Sequence, residues 1–271
     1  MRLAATEAKG RTRPKPPVPS GGDLPYITSM TRTLIRFSGP DTRSFLDGLI
    51  TNTLPDADDP LRYAALLTPQ GKFIADFLVL ADGDDLILDV AASHAPTLAQ
   101  RLTMYRLRAK VDIAEDPRAV STGIGETPVR AMPDPRHDAL GWRLYGSDAP
   151  DRTDRDAIRV AHCIPETGIE LTPDTYILEA GFERLNGVDF RKGCFVGQEI
   201  VARMKHKTEL RKGLATVSIS GSAPVGTEIT TGDGRPAGTL FTQSGDRAIA
   251  HLRFDRADGP LSADAAHLQR L

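Results

Sequence analysis

The sequence predicts an α+β fold with two mixed domains and a small β-barrel at its carboxyl end. Up to residue 211, short strands and helices are mixed but do not alternate as β-α-β units, which argues against a doubly wound parallel sheet. From Lys212 onward the pattern contains only short strands, which is typical of a small barrel or sandwich. With 271 residues, the chain is long enough for two or three domains.

The first mixed domain is predicted over residues 26–118. Its hydrophobic pattern predicts, in order, a strand at 34–37, a helix over 41–50, strands at 63–67, 73–80 and 86–90, a helix around 98–105 and a strand from residue 111. The Gly39-Pro40-Asp41 step suits a helix start, because proline is tolerated there. The turn residues Thr68-Pro69-Gln70-Gly71 and Asp82-Gly83 separate the middle strands, which predicts an antiparallel meander.

The second mixed domain is predicted over residues 119–207. The proline-containing stretch 123–150 is expected to form loops around short strands. A helix is predicted over 152–162 with Asp151 as its N-cap, and a further helix is predicted over 196–205.

The barrel is predicted over residues 208–271. Alternating apolar residues predict strands at 214–219, 228–230, 238–242 and 248–252, with a hairpin turn at Gly232-Asp233-Gly234.

Composition excludes several classes of protein. The formal net charge is -2, so no overall positive charge holds a polyanion, and direct nucleic-acid binding is not expected. Two cysteines cannot build a disulfide framework, which favours a reducing compartment. No apolar run approaches the ~20 residues that cross a bilayer. We therefore expect no membrane partner and a cytoplasmic location, or the mitochondrial matrix if the protein is eukaryotic.

Residues 1–25 differ in composition from the rest of the chain. They carry five Lys/Arg, several prolines and a Ser-Gly-Gly break, without the apolar segment of a secretory signal. This composition predicts a disordered basic tail. A mitochondrial transit peptide is the alternative, but the prolines would interrupt its amphipathic helix.

Cys194 is the first candidate for chemistry. It follows the cations Arg191 and Lys192 and precedes a predicted helix, and both features stabilise a thiolate. Gly193 is expected to let the chain turn tightly there. The alternative is a small buried residue in that turn. Cys163 is interpreted as structural, because its neighbour on a helix points about 100° away and cannot form a catalytic pair with it.

Charge and burial patterns add further candidates. Segment 191–212 contains seven Lys/Arg against two acidic residues, a local charge of +5, and Arg101, Arg106, Arg108 and Lys110 form a second patch without acids. Two patches that face one cleft would attract an anionic ligand, whereas two solvated surfaces are the alternative. Asp76 interrupts an apolar strand and must face solvent or a pocket. The histidines show no metal-ligand spacing, so no metal site is predicted.

One motif resembles a known family. Lys192-Gly193-Cys194-Phe195-Val196-Gly197-Gln198-Glu199 is similar to the K-G-C-[FY]-[VT]-G-Q-E signature of the YgfZ-type folate-binding proteins. The likeness extends to the Thr68-Pro69-Gln70-Gly71-Lys72 turn and to Tyr105-Arg106-Leu107-Arg108-Ala109-Lys110-Val111. That family shares its fold with the tetrahydrofolate-dependent aminomethyltransferase of glycine cleavage, and its members are implicated in maintaining iron-sulfur enzymes, including one that modifies tRNA. The resemblance therefore implies an aminomethyltransferase-like folate-binding fold.

The resemblance also implies functional residues. The motif residues carried over are Lys192, Gly193, Cys194, Phe195, Gly197, Gln198 and Glu199, with Cys194 as the functional thiol. The implied folate-binding residues are Asp76, Arg106, Arg108, Arg159 and Arg203, of which the arginines would attract the carboxylates of the glutamyl tail. The sequence departs from the aminomethyltransferases at Ala75 and Thr53, which weighs against methylene transfer from a lipoyl carrier.

These observations predict a tetrahydrofolate-binding factor for the assembly or repair of iron-sulfur enzymes. Its expected partners are folate and iron-sulfur enzymes or their assembly proteins. A single well-placed cysteine suggests transient contact with clusters rather than stable binding. A folate-dependent one-carbon transferase is the first alternative, so that enzymatic activity stays open, and an RNA-binding module is the second.

Overall fold

The structure is a computed structural model that describes residues 31–147, 153–206 and 209–271. The predicted tail at 1–25 and the predicted cap Asp151 lie outside these ranges. Within the ranges, every helix is too short or too polar to cross a membrane.

The elements fall into three groups along the chain. The first group contains β1 (Arg32–Ser38), α1 (Thr42–Asp47), β2 (Arg62–Leu67), β3 (Phe73–Asp82), β4 (Asp85–Ala91), α2 (Ala95–Arg106) and β5 (Asp112–Asp116). The second group contains β6 (Val120–Gly123), β7 (Met132–Pro133), β8 (Trp142–Tyr145), α3 (Arg155–His162) and α4 (Gln198–Lys205). The third group contains β9 (Lys212–Ser220), β10 (Glu228–Thr231), β11 (Pro236–Ser244), β12 (Arg247–Arg253), β13 (Leu261–Ala263) and β14 (Ala266–Arg270). This order confirms the predicted α+β class.

Five antiparallel strands in the order β2-β3-β4-β1-β5 form the main sheet. The predicted meander is confirmed in β2, β3 and β4. On one face, Leu98 of α2 shares a core with Phe77, and on the other face Leu78 shares a core with Phe182 of the second group. Because both faces are covered, β3 is apolar along nearly its whole length rather than alternating.

Buried charges connect the main sheet to the second group. The Asp89 carboxylate on β4 accepts hydrogen bonds from Arg32 Nε at 2.6 Å and from Arg143 Nη1 at 2.9 Å. Arg143 Nε also donates to Asp134 at 3.0 Å, and Asp134 pairs with Arg136 at 2.8 Å. Each charge in this network therefore has an opposite charge in contact, which is what makes its burial tolerable.

The third group is a closed barrel with the strand order β10-β11-β12-β9-β14-β13, and β10 and β13 complete the closure. It has its own apolar core. The predicted barrel is therefore confirmed. Strands β13 and β14 were not predicted, because they are only three and five residues long and contain no β-branched or aromatic residue that would favour a strand.

Two helices differ from the sequence-based prediction. Helix α1 ends at Asp47 rather than at residue 50, because Ile50 forms a bridge with Leu66 of β2 and so leaves the helix. Helix α3 begins at Arg155, and its N-cap is Asp154, whose carboxylate accepts a bond from a backbone N–H at 3.0 Å. The predicted start at residue 152 was therefore too early.

The substitution Asp89→Asn is expected to lower the free energy of unfolding by about 3–5 kcal/mol, because it leaves the largely buried Arg32 side chain without a counter-charge and leaves Arg143 with Asp134 alone. Burial raises the pKa of Asp89, but Arg32 and Arg143 outweigh burial and lower the pKa from 3.8. The wild-type advantage should therefore be complete above pH 4 and disappear as the pH falls further. Urea denaturation of both proteins at several pH values measures this difference in the free energy of unfolding.

The exposed Asp84 provides a matched control, and Asp84→Asn should unfold like the wild type. Equal stability of wild type and Asp89→Asn at neutral pH would contradict the structural role of the network.

Candidate functional site

Lys192 fixes the segment that leads into α4. Its ammonium donates to the backbone carbonyls of Asp47 at 2.8 Å, Ile50 at 2.9 Å and Asn52 at 3.0 Å. The Asp47 carboxylate lies 3.3 Å away, and the Lys192 side chain is 2% exposed. Burial lowers the pKa of Lys192, while Asp47 opposes that shift. All three N–H donors are thus used to hold the motif against the end of α1.

The motif helix packs against the turn between β2 and β3. Gly197, with φ +85°, precedes α4, and a Cβ there would lie 2.7 Å from the carbonyl oxygen of Thr68 and 3.1 Å from Cα of Gly71. Gly71 has φ +73°, and a Cβ there would lie 2.8 Å from Cβ of Ile200. Both glycines therefore allow the two motifs to touch.

The tight turn was predicted at Gly193, and this was wrong. A Cβ on Gly193 would have no neighbour within 4 Å, and its φ is not in the left-handed region. Gly197 takes that role, and its left-handed conformation also explains why α4 begins at Gln198 rather than at residue 196.

Cys194 is a free thiol on the surface, between two fixed residues. Lys192 is anchored on one side, and Phe195 on the other side is 7% exposed and belongs to the core between the sheet and the second group. Arg191 is 93% exposed and pairs with Asp189 at 3.4 Å. The cations next to Cys194 in the chain are therefore committed to oxygen partners, and the thiol itself is open to ligands from solvent.

The rest of the motif lies on α4. The Gln198 side-chain amide donates to the Gly193 carbonyl at 3.4 Å, which closes the loop around Cys194. Glu199 and Arg203 are both exposed. The predicted shared helix face is consistent with their spacing, although no ion pair joins them among the residues that the structure describes.

Cys163 occupies a structural position. It caps the end of α3 in a left-handed conformation with φ 51°, and burial raises the pKa of its thiol. Arg184 donates to its carbonyl oxygen at 2.7 Å. These contacts agree with its interpretation as a structural residue.

Asp76 lies in a buried polar group on the face of the sheet toward the second group. It is 5% exposed and accepts hydrogen bonds from the Tyr63 hydroxyl at 2.9 Å and from the Thr167 hydroxyl. Burial raises the pKa of Tyr63, and the charge of Asp76 raises it further. Arg136 lies 5.6 Å from the Tyr63 ring. Asp76 therefore faces the protein interior and not solvent.

The Asp76 carboxylate has acceptor positions that match the hydrogen-bond donors of a pterin. A carboxylate has about four acceptor positions, so two remain after the bonds from Tyr63 and Thr167. The ring N–H and amino groups of a pterin are hydrogen-bond donors, and such a carboxylate can accept hydrogen bonds from them. Tyr63 also stacks on Phe182 at 4.9 Å between ring centroids, and both rings are fully buried.

Arg159 is fully engaged with protein acids. Its guanidinium lies 2.6 Å from Glu170, 2.7 Å from Asp156 and 3.3 Å from Glu166, and the side chain is 4% exposed. Glu170 in turn accepts a hydrogen bond from Thr242 of β11. Arg159 thereby connects α3 to the barrel, and its positive charge is already balanced.

The remaining predicted arginines are not gathered around Asp76. Arg106 and Arg108 lie at the end of α2, which packs on the opposite face of the sheet, since Ala75 and Phe77 share a core with α2 while Asp76 between them points the other way. Arg203 is on α4. The two positive patches therefore do not line one cleft with Asp76.

Sequence analysis missed three residues of the Asp76 group. Tyr63 follows an apolar pattern and gives no polar signal, and Thr167 and Arg136 are far from Asp76 in the chain and lie in irregular segments. The only available signal was Asp76 itself, because a buried acid requires donors nearby.

Comparisons with known proteins agree on one family and one fold. Residues 211–270 match the CAF17 C-terminal beta-barrel domain. The chain is 30% identical over 286 residues to the iron-sulfur cluster assembly factor IBA57, mitochondrial, of Mus musculus, covering 88% of this chain and 80% of that protein. The Homo sapiens protein of the same name is 30% identical over 282 residues, with 87% and 79% covered.

A solved structure shares the fold. The glycine cleavage system aminomethyltransferase T from Bartonella henselae superposes with a TM-score of 0.70 at 14% identity, covering 89% of this chain and 82% of that one. This confirms the aminomethyltransferase-like fold that the motif implies. The narrower resemblance to YgfZ-type proteins stays a prediction.

The substitution Lys192→Met is expected to lower the free energy of unfolding by about 2–4 kcal/mol, because it removes the donor to three carbonyls, two of which are partly buried. Hydrogen exchange should show the loss locally, with faster exchange in α4 and unchanged exchange in the barrel. Arg191→Met is the control, since that side chain is almost fully exposed. If α4 exchanged at the same rate in Lys192→Met and Arg191→Met, the anchoring role of Lys192 would be contradicted.

Proposed function

The chain belongs to the family of IBA57-type iron-sulfur cluster assembly factors, and on this basis we propose that it assists the assembly or repair of iron-sulfur clusters with Cys194 as its functional thiol. The observation that carries the proposal is the exposed thiol held between the buried Lys192 and Phe195. A thiolate is the side chain that iron-sulfur clusters accept as a ligand.

Transient contact follows from the number of ligands. A cluster needs about four protein ligands, and the described residues contain no group of three or more His, Cys, Asp or Glu that could hold a metal. Cys194 can therefore supply one ligand while the protein that carries the cluster supplies the others. The cluster is the cargo of this chain, and the partner is an iron-sulfur protein or an assembly protein.

The fixed backbone around Cys194 suits this task. Because Lys192, Gly197 and Gln198 hold the loop, the thiol needs little ordering when it meets a cluster, and less conformational entropy is lost on binding. A thiol on a mobile loop would lose more conformational entropy when it binds a cluster. The mitochondrial names of the related proteins agree with the matrix location that the sequence predicts for a eukaryotic protein.

We also propose that tetrahydrofolate binds beside Asp76. The fold shared with an aminomethyltransferase and the free acceptor positions of Asp76 support this. Bound folate would present the N–H donors of its pterin to Asp76. A one-carbon transferase is less favoured, because the relatives are named as assembly factors.

The substitution Cys194→Ser is expected to fold normally and to abolish the support of iron-sulfur enzymes, because a hydroxyl is a poor ligand for a cluster. Cells that lack their own copy and carry this variant should lose activity of cluster-dependent enzymes under oxidative stress. The activity of an enzyme that needs no cluster, measured in the same cells, should stay unchanged. Cys163→Ser is the matched control. Full enzyme activity with Cys194→Ser at normal protein levels would sink the proposal.

The substitution Asp76→Asn is expected to weaken tetrahydrofolate binding about tenfold or more, because it removes a charge-assisted acceptor. Calorimetry or the fluorescence of Trp142, which lies in β8 next to Arg143, follows the titration. Arg106→Gln should bind like the wild type, since α2 lies on the other face of the sheet. Wild-type protein that shows no binding at millimolar folate would refute this part of the proposal and leave the thiol function intact.

A further inference from the structure

The end of α2 presents apolar side chains to solvent among cations. Met104 is 61% exposed and Leu107 is 89% exposed. Arg101, Arg108 and Lys110 around them are also exposed. We call these five residues the α2 tip. Exposed apolar side chains grouped in this way are typical of surfaces that bind a partner.

The backbone at Leu107 is unusual and is held in place by its neighbours. Leu107 has φ 45°, a conformation that a leucine rarely adopts. The Asp41 carboxylate accepts from the Lys110 N–H at 2.8 Å, and Arg106 donates to the Val111 carbonyl at 3.2 Å. These bonds fix the loop, while the Leu107 side chain itself gains almost no burial. Because this strained backbone conformation does not bury the Leu107 side chain, it points to a function of that exposed side chain.

The charge of the α2 tip selects an acidic occupant. Segment 101–110 contains four cations and no acid. Arg101, Arg108 and Lys110 have no ion pair with a carboxylate in the part of the chain that the structure describes. Residues 1–25 carry more Lys/Arg than Asp/Glu, so this segment would be repelled rather than attracted. The partner must therefore come from another molecule and bring carboxylates.

The α2 tip and the Cys194 loop are attached to opposite ends of α1. Asp41, which holds Lys110, precedes α1, and Asp47, which holds Lys192, ends it. Six helical residues span about 9 Å, so the backbone anchors of the two segments are separated by about that distance. A protein of ordinary interface size would cover both.

We infer that the α2 tip docks an acidic surface of the protein that carries the cluster, with carboxylates around an apolar pocket that receives Leu107 and Met104. The inference rests on the proposed function, because that function requires such a partner beside Cys194. A protein fits better than a membrane, since two apolar side chains form no amphipathic face, whereas arginine and methionine are enriched in protein interfaces.

A labelled peptide tests the docking surface directly. The probe is a fluorescein-labelled helical peptide of about 20 residues with a leucine row flanked by glutamates, and fluorescence anisotropy with the full chain measures its affinity at low salt. Leu107→Gly should fold at least as well as the wild type, because glycine relieves the backbone, and should weaken binding about tenfold. Arg108→Glu should weaken it by at least as much. Val129→Gly, which also removes an exposed apolar side chain but lies outside the α2 tip, is the control and should change nothing.

Three results would overturn the inference. The first is equal affinity in wild type and both α2-tip variants. The second is equal affinity for a peptide whose leucines are replaced by glutamine, because the apolar contact would then be irrelevant. The third is binding to phosphatidylglycerol vesicles that depends on Leu107 while the peptide does not bind, which would assign the surface to a membrane.

The docking test is independent of the thiol. Cys194→Ser should bind the peptide like the wild type. Loss of peptide binding in the α2-tip variants, together with full support of iron-sulfur enzymes by Cys194→Ser, would keep the docking surface and reject the thiol function. The opposite pattern would keep the thiol function and reject this surface.

Discussion

The position of the Cys194 loop depends on the hydrogen bonds that the buried Lys192 ammonium donates. A buried ammonium is tolerated only when its donors are used, and here three carbonyls at the end of α1 use all of them. The contact of Gly197 with the β2–β3 turn then fixes the start of α4. Between these two attachments the chain has no freedom to withdraw Cys194, so the thiol stays on the surface.

The charged network at Asp89 and the ion pairs of Arg159 both connect one group of elements to another. Asp89 joins the main sheet to β8, and Arg159 joins α3 to the barrel through Glu170. Apolar packing alone holds surfaces together without fixing their angle, whereas charge-assisted hydrogen bonds from a planar guanidinium are directional. The same directionality explains why Arg159 is unavailable as a free cation for a ligand.

Much of the fold could be predicted from the sequence, because period-two and helical patterns are local. The meander and the barrel follow from such patterns, whereas the end of α1 depends on the pairing of Ile50 with Leu66, which no local pattern shows. The site was predicted in part. The motif identifies Cys194, but the choice between Gly193 and Gly197 depends on a contact with a turn more than a hundred residues earlier. The separation of Asp76 from Arg106 likewise depends on strand alternation within the folded sheet.

Protection of Cys194 by a cluster is the most direct test of the account. The full chain is treated with an alkylating agent under anaerobic conditions, with and without a glutathione-ligated [2Fe–2S] cluster, and mass spectrometry measures labelling of each cysteine. The account predicts rapid labelling of Cys194 in the free protein, strong protection when the cluster is present, and slow labelling of Cys163 in both cases. Labelling of Cys194 at the same rate with and without the cluster would contradict it.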